Sequence, residues 1–250
     1  MKKIIAIGGG EIGRPGVKNE TLAVDREIIK LSGKENPKFL FVPTASGDAA
    51  GYIASVENHF GKKLGCKIDT LELIAKKYTK KELEDKILKT DIVYVGGGNT
   101  LKMMKLWRKF GVDVLLEKAM KNGIVLSGLS AGSICWFKYG NSDSARFGKN
   151  KAASMIRVKG LNFISALHCP HYDIEKGREQ SLKEMMKKNT GVAIAIDNCA
   201  ALEIVGDQYR ILKSKKTANL YKVYWKGGKY FREIVLAKKG YQPLKDLLSA

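Results

Sequence analysis

The sequence is poor in cysteine and contains no long apolar run. Its 250 residues include four widely scattered cysteines, with no CxxC pair among them: Cys66, Cys135, Cys169 and Cys199. This scatter indicates reduced thiols rather than a disulfide framework or a zinc site. No apolar stretch approaches the roughly 20 residues that cross a bilayer, and residues 4–7 are too short for the core of a signal peptide. We therefore expect a cytoplasmic protein without a membrane partner.

Acidic residues and arginine are also scarce. The chain has 25 Asp and Glu against 45 Lys and Arg, which gives a formal net charge of +20, and 8 of the basic residues are Arg. A basic excess suggests a nucleic-acid partner, yet recognition of phosphate and guanine relies on Arg. The lysines are spread along the whole chain. We therefore expect a solvated lysine coat and no nucleic-acid partner, with a non-catalytic nucleic-acid-binding module as the alternative.

Short apolar runs and amphipathic segments alternate over the first two thirds of the chain. Thr79 and Glu82 form a capping-box pattern at the start of one of the amphipathic segments. Such alternation predicts a parallel sheet flanked by helices, whose ligands bind at the carboxyl ends of the strands. The predicted strands are 4–7, 39–42, 67–73, 92–95 and 124–127. The predicted helices are 22–31, 53–64, 80–88, 101–110 and 112–121.

After residue 166 the pattern changes to a helix at 175–187 and a series of short strands. The strands are predicted at 192–196, 201–205, 209–212, 220–225 and 230–236. Gly206-Asp207 and Gly227-Gly228 are hairpin signals between them. We therefore predict an α/β fold with an antiparallel C-terminal extension, which extends the sheet or caps one of its edges. Because no linker or internal repeat is visible, residues 1–250 are expected to form a single domain.

Two glycine-rich segments follow predicted strands. Residues 8–13, GGGEIG, fit the dinucleotide pattern G-x-G-x-x-G, but no acidic residue ends the second strand to bind a ribose. A tight structural turn is therefore favoured there. Residues 96–100, GGGNT, open a helix and could present backbone N–H groups to an oxyanion. A structural turn capped by Asn99 or Thr100 explains the same residues.

The sharpest motif is GLSAG at residues 128–132, between an apolar strand and a helical run. This is G-x-S-x-G in the strand–turn–helix context of a nucleophile elbow. Its glycines allow the close approach that holds Ser130 in a strained, exposed conformation. The N–H of Ala131 would then face a developing oxyanion.

The chain has three histidines from which to draw a general base for Ser130. His171 follows a proline after the predicted strand end at residue 167, at the same sheet edge as the elbow, and is the predicted base. His168 lies closer to the strand and is expected to pack. His59 lies in an amphipathic helix and is expected at the surface. Metal binding by His168, His171 and Asp173 is a weaker alternative.

The segments VGGGNT, GLSAGSICW and HCPHYD, in that order and spacing, resemble the dipeptidase E and cyanophycinase family of serine peptidases. The likeness extends from IAIGGGE through FVPTAS to GVAIAIDNCAAL, over roughly the first 210 residues. It implies a flavodoxin-like fold related to the class I glutamine amidotransferases. It also implies a cofactor-free Ser-His-acid triad with Ser130 and His171, and an oxyanion hole of Ala131 and a glycine of residues 96–98, chiefly Gly98.

The triad acid is where the sequence departs from the family. The family's Glu position after the strand 192–196 holds Asn198, with Asp197 beside it, and a second acid position corresponds to Asp143. Asp143 and Asp197 remain level candidates. The family's substrates imply small peptides such as Asp-X dipeptides, for which Arg178 and Asn99 are candidate contacts. A non-peptide amidohydrolase or esterase is the alternative enzyme, and the chain is expected to be a monomer or homodimer.

Overall fold

The computed structural model describes residues 1–14, 16–148, 150–175 and 177–250. They form a mixed α/β fold with two sheets flanked by helices. The strands are β1 (Lys3–Ile7), β2 (Lys38–Val42), β3 (Lys67–Thr70), β4 (Ile92–Val95), β5 (Val125–Leu129), β6 (Phe137–Ser142), β7 (Ile156–Lys159), β8 (Ile164–Cys169), β9 (Val192–Ile196), β10 (Ala200–Val205), β11 (Gln208–Lys213), β12 (Leu220–Lys226), β13 (Lys229–Ile234) and β14 (Gln242–Pro243).

The helices lie mainly between the strands of the first two thirds. They are α1 (Leu22–Ser32), α2 (Ala50–Val56), α3 (Lys80–Leu88), α4 (Thr100–Phe110), α5 (Val112–Lys121), α6 (Ala131–Ile134), α7 (Arg178–Lys187) and α8 (Leu244–Leu248). The capping box that Thr79 and Glu82 predict is present at the start of α3. The predicted helix 53–64 is instead α2 followed by a π-helical segment, Glu57–Lys63. Within the described ranges, no helix is long and apolar enough to span a bilayer.

The first sheet has the strand order β14-β11-β10-β1-β5-β4-β2-β3. The neighbouring strands β1, β5, β4, β2 and β3 of this sheet are parallel. They are the five strands predicted for the first half of the chain, and all five are confirmed. β1, β5 and β4 are neighbours, so the loops after them meet at one edge. These are the segments GGGEIG, GLSAG and GGGNT.

The second sheet has the order β13-β12-β9-β8-β6-β7, and the sequence did not predict it as a separate sheet. β6, β8 and β9 are parallel in it. Both predicted hairpins form, but the first joins β10 to β11 in the first sheet, whereas the second joins β12 to β13 in the second. The C-terminal strands therefore extend two sheets rather than one. The predicted helix 175–187 begins at Arg178, and Lys176 lies outside the described residues.

His59 is buried, and its predicted surface position is wrong. The residue is 2 % exposed, and its Nε2 lies 2.8 Å from Asp25 Oδ2. Thr21 donates its hydroxyl to the same carboxylate oxygen at 2.9 Å. A buried carboxylate is costly without hydrogen-bond partners. The Asp25 carboxylate on α1 therefore explains why the His59 imidazole is buried in this part of the core.

Candidate active site

Ser130 lies between β5 and α6 with a left-handed backbone. Its φ is 58° and its ψ is −115°, and its N–H donates to the carbonyl of Ile7 on β1 at 3.2 Å. A non-glycine residue in this region costs about 1–3 kcal/mol, which the surrounding structure must supply. The serine side chain stands half-buried at the turn, in the strand–turn–helix context that the motif predicts.

The two glycines of GLSAG make this turn possible because both pack directly against backbone. A Cβ on Gly132 would lie 2.0 Å from the carbonyl oxygen of Val95 on β4, and one on Gly128 would lie 2.4 Å from the carbonyl oxygen of Gly132. Side chains at these positions would push the elbow away from the sheet. The motif therefore reflects a steric requirement on either side of Ser130.

Beneath the elbow, Ser133 and His168 form a buried polar contact. Ser133 Oγ lies 2.7 Å from the carbonyl oxygen of Ser130 and 2.9 Å from His168 Nε2. His168 Nδ1 donates to the carbonyl of Ile194 at 2.9 Å. Burial lowers the pKa of His168 to about 3, so the ring is neutral, and with Nδ1 as the donor its Nε2 lone pair faces the Ser133 hydroxyl. His168 therefore has the packing position that the sequence predicts.

His171 follows β8 and enters the same region from the second sheet. Its N–H donates to the carbonyl of Gly8 at 3.0 Å, and its Nδ1 lies 2.7 Å from Asn198 Oδ1. With an amide oxygen as acceptor, Nδ1 carries the ring proton and Nε2 keeps its lone pair. Burial is the main cause that lowers the pKa of His171 below 6.5, while the bond to Asn198 opposes it. The ring is thus held in the tautomer that suits a general base.

The loop Gly8–Gly9 packs against this histidine. A Cβ on Gly9 would lie 2.1 Å from Asn198 Oδ1 and 2.3 Å from His171 Nδ1. The Gly9 carbonyl also accepts from the N–H of Cys199 at 2.9 Å. The N-terminal glycine motif is therefore a structural turn, as the sequence favours, and one that supports His171 and Asn198.

The two predicted acids, Asp143 and Asp197, have different surroundings. Asp197 is 3 % exposed and accepts from the N–H of Asn219 at 2.8 Å, so its carboxylate faces β12. Asp143 precedes a short 3₁₀ turn, Ser144–Phe147, and its charge raises the pKa of His171. Within the part of the chain that the structure describes, neither carboxylate hydrogen-bonds to His171. Asn198 occupies that place.

Asn198 is itself held by an acidic residue. Its N–H donates to Asp173 Oδ1 at 2.9 Å. The Asp173 carboxylate therefore acts on His171 indirectly. It fixes the backbone of Asn198, and the side chain of Asn198 accepts the hydrogen bond from His171 Nδ1. Among the described residues, no three His, Cys, Asp or Glu side chains converge as metal ligands.

Ser130 and His171 line one cavity of about 420 Å³. The cavity is also lined by Glu11, Arg14 and Tyr52. None of the three was predicted as a site residue, and the one signal was the presence of Glu11 in the segment IAIGGGE. Gly97 is the glycine of the second loop that lines the cavity. A Cβ on Gly97 would lie 3.4 Å from Ser130 Cβ, which shows how closely this loop approaches the serine.

The two residues predicted for the oxyanion hole, Ala131 and Gly98, lie in the segments next to Ser130, but neither is among the residues that line the cavity. Ala131 is the first residue of α6 and is 1 % exposed. The N–H of Gly97 donates to Tyr52 Oη at 3.3 Å. Gly98 has a φ of 136°, and its backbone packs against the carbonyl of Ala45. The loop 96–98 is therefore fixed beside the serine.

The two predicted substrate contacts have structural partners. Asn99 caps α4, since its Oδ1 accepts from the N–H of Lys102 at 3.0 Å. Arg178 is 2 % exposed, and its guanidinium binds Glu175 at 2.6 Å and the carbonyl of Asn141 at 2.6 Å. Neither residue lines the cavity. The ion pair with a neighbouring Glu accounts for Arg178.

Solved structures of peptidases share this fold. A peptidase from an acI-B1 Actinobacterium superposes with a TM-score of 0.66 at 16 % identity, over 97 % of each chain. A structure described as a peptidase E protein from Listeria monocytogenes EGD-e superposes with a TM-score of 0.63 at 21 % identity, over 85 % of this chain and 98 % of that one. These likenesses support the predicted fold.

Sequence comparisons extend the likeness to a family. YgaJ of Bacillus subtilis (strain 168), named an uncharacterized peptidase, is 37 % identical over 225 residues, which are 89 % of this chain and 92 % of that protein. PM1590 of Pasteurella multocida (strain Pm70), also named an uncharacterized peptidase, is 27 % identical over 72 % of this chain and 86 % of that protein. The model of peptidase family S51 matches residues 4–212. The chain therefore belongs to peptidase family S51.

Proposed function

We propose that this peptidase is of the serine type and hydrolyses small peptides, with Ser130 as nucleophile and His171 as general base. The observation that carries the proposal is the shared cavity, which is lined both by a serine in a strained turn and by a histidine whose Nε2 keeps its lone pair. The cavity of about 420 Å³ suits a ligand of dipeptide size. The family match supports peptide bonds as the target.

In the proposed reaction, Ser130 Oγ attacks the carbonyl carbon of the scissile amide while His171 Nε2 takes the hydroxyl proton. In the proposal, the resulting oxyanion accepts hydrogen bonds from the N–H groups of Ala131 and Gly98, since the N–H of Gly97 donates to Tyr52 Oη. Collapse breaks the C–N bond, and the leaving amine takes the proton from His171. Water then attacks the acyl-enzyme with the same base and releases the acid and Ser130.

Asn198 takes the orienting role in this proposal. A neutral amide fixes the tautomer but does not stabilise imidazolium by charge, as a carboxylate would. Asp143 and Glu175 provide negative charge near the ring, and both raise the pKa of His171. In this proposal, the third position of the Ser-His-acid triad is held by the amide of Asn198, and the negative charge comes from the nearby carboxylates of Asp143 and Glu175.

Dipeptide hydrolysis tests the proposal. Asp-Ala, Glu-Ala and Ala-Ala are compared with a longer peptide and with a p-nitrophenyl ester, by following the release of free amine or phenol. Wild type is expected to cleave the dipeptides, with Asp-Ala included because a Listeria protein of this fold is described as peptidase E. Turnover of the ester alone would favour an esterase, and no turnover of any peptide would reject the proposal.

Asn198→Asp is expected to move the acid limb of kcat/KM to higher pH. The base works when its imidazole is neutral, so activity rises as the pH increases through the pKa of His171. Since burial lowers that pKa, wild type should retain activity below pH 6.5. A carboxylate at position 198 would stabilise imidazolium and raise the pKa. Asn122→Asp, at the end of α5, is the control, and identical pH profiles for wild type and Asn198→Asp would contradict the orienting role.

A further inference from the structure

Two oppositely charged side chains stand in the cavity wall beside Ser130. Arg14 Nε and Nη2 lie 2.7 and 2.5 Å from Glu11 Oε2, and the N–H of Arg14 donates to Glu11 Oε1 at 3.3 Å. Tyr52 also lines the cavity, but burial raises its pKa to about 12, so it is neutral. Among the described lining residues, the fixed charges are thus one carboxylate and one guanidinium.

The two partners are held very differently. The Glu11 side chain is 14 % exposed, whereas that of Arg14 is 67 % exposed. The backbone of Glu11 is bound on both sides by Glu20, through a 3.1 Å bond from its N–H and a 2.7 Å bond to its carbonyl, and Lys215 pairs with Glu20. Glu11 is therefore an anchored acceptor, and Arg14 can turn away from it at little cost because exposed ion pairs contribute little to stability.

A short peptide carries the charges that complement this pair. Its α-ammonium group can donate to a carboxylate, and a carboxylate can accept two parallel bonds from a guanidinium. When both substrate groups bind, the ammonium replaces the Arg14 guanidinium at Glu11, and the substrate carboxylate replaces the Glu11 carboxylate at Arg14. No charge is then left unpaired. The pair thus costs little to open and discriminates against ligands that lack either charge.

On the basis of the proposed peptidase activity, we propose that Glu11 binds the α-ammonium group of the substrate and Arg14 binds a substrate carboxylate. This assigns recognition of an acidic group to Arg14, in place of the buried Arg178. The carboxylate can be an acidic side chain or the C-terminus of a dipeptide. Both present the same chemistry to Arg14, and amidated substrates distinguish them.

Kinetics on four peptides test the assignment: Ala-Ala, N-acetyl-Ala-Ala, Ala-Ala-amide and Asp-Ala-amide. Wild type is expected to prefer Ala-Ala to its N-acetyl form by roughly ten-fold, which is the effect of one hydrogen bond to a charged group. Glu11→Gln should bring that ratio close to one, through KM. Arg14→Gln should raise KM by roughly ten-fold for Ala-Ala if the C-terminus binds there, or for Asp-Ala-amide if the side chain does.

Glu117→Gln is the matched control, since Glu117 forms an exposed ion pair with Lys121 on α5. A fluorophosphonate probe, which labels an active serine, separates the two proposals. If Glu11→Gln is labelled like wild type but keeps the preference for a free amino group, the assignment of Glu11 is wrong and the serine mechanism stands. If the probe does not label wild type, the serine mechanism itself fails. If Glu11→Gln does not fold, Arg14→Gln tests the proposal independently, because it changes an exposed side chain. An unchanged KM of Arg14→Gln for every peptide that carries a carboxylate would overturn the assignment of Arg14.

Discussion

Ser130→Ala is expected to lower kcat/KM for dipeptides by about 10⁴-fold or more. Removing the nucleophile of a serine hydrolase leaves only the contribution of the oxyanion donors and of substrate binding. The substitution takes one oxygen from a half-buried turn and leaves Gly128 and Gly132, which hold the turn against β4, in place. Alanine adds no heavy atom at this position and so introduces no steric clash, and the fold should be retained. Dipeptide hydrolysis is measured together with the thermal unfolding midpoint.

Ser32→Ala is the matched control for this variant. Ser32 lies at the end of α1, where its hydroxyl donates to the carbonyl of Ile29 at 2.6 Å, and it does not line the cavity. Its removal should leave kcat/KM unchanged. Undiminished hydrolysis by Ser130→Ala, in a folded protein, would eliminate Ser130 as nucleophile.

Gly9→Ala is expected to lower kcat/KM by roughly 100-fold or more, because a misplacement of about 1 Å in a catalytic group has effects of that size. The added Cβ would lie 2.1 Å from Asn198 Oδ1 and 2.3 Å from His171 Nδ1. One of these side chains must move, and the 2.7 Å bond between them is lost or lengthened. His171 then loses the contact that fixes its tautomer.

Gly148→Ala controls for the general effect of replacing glycine. Gly148 has a φ of −84°, and a Cβ there would lie 3.7 Å from its nearest neighbour, the carbonyl oxygen of Ala145. Activity and unfolding midpoint should stay near wild type. If Gly9→Ala kept wild-type kcat/KM, the packing of the glycine turn against His171 would have no role in catalysis.

Much of the first sheet could be predicted because β1, β2 and β4 are short apolar runs next to amphipathic segments. The bounds of α3 and α5 agree with the prediction, and all five predicted strands of the first half form. The elbow was predictable for the same reason, since GLSAG follows a buried strand. Its two glycines are required because the backbone of β4 leaves no room for a side chain, and a short sequence motif is enough to reveal such a requirement.

The second sheet escaped prediction because β6 is not an apolar run. Asn141 and Ser142 are buried in β6. Their polar groups are satisfied by partners distant in sequence: Asn141 Nδ2 donates to Ser181 Oγ at 2.9 Å, and its carbonyl accepts from Arg178 at 2.6 Å. Hydrophobic periodicity does not register burial that hydrogen bonds compensate.

The environment of His171 depends on contacts between loops that sequence spacing does not reveal. The sequence left Asp143 and Asp197 level, and a difference of one residue decides which side chain after β9 reaches His171. Asp197 turns towards Asn219, and Asn198 turns towards the histidine. Glu11 and Arg14 were not predicted because they reach the cavity through the turn after β1, far from Ser130 in sequence.

The most direct test of the central claim is the mass of the protein after reaction with a fluorophosphonate, followed by mapping of the modified peptide. The mechanism predicts one adduct, on Ser130, which forms in wild type and in Ser32→Ala but not in Ser130→Ala. It also predicts slower labelling in Gly9→Ala, because His171 must accept the hydroxyl proton. Absence of an adduct on wild type that cleaves dipeptides, or an adduct on a different serine, would contradict a nucleophilic Ser130.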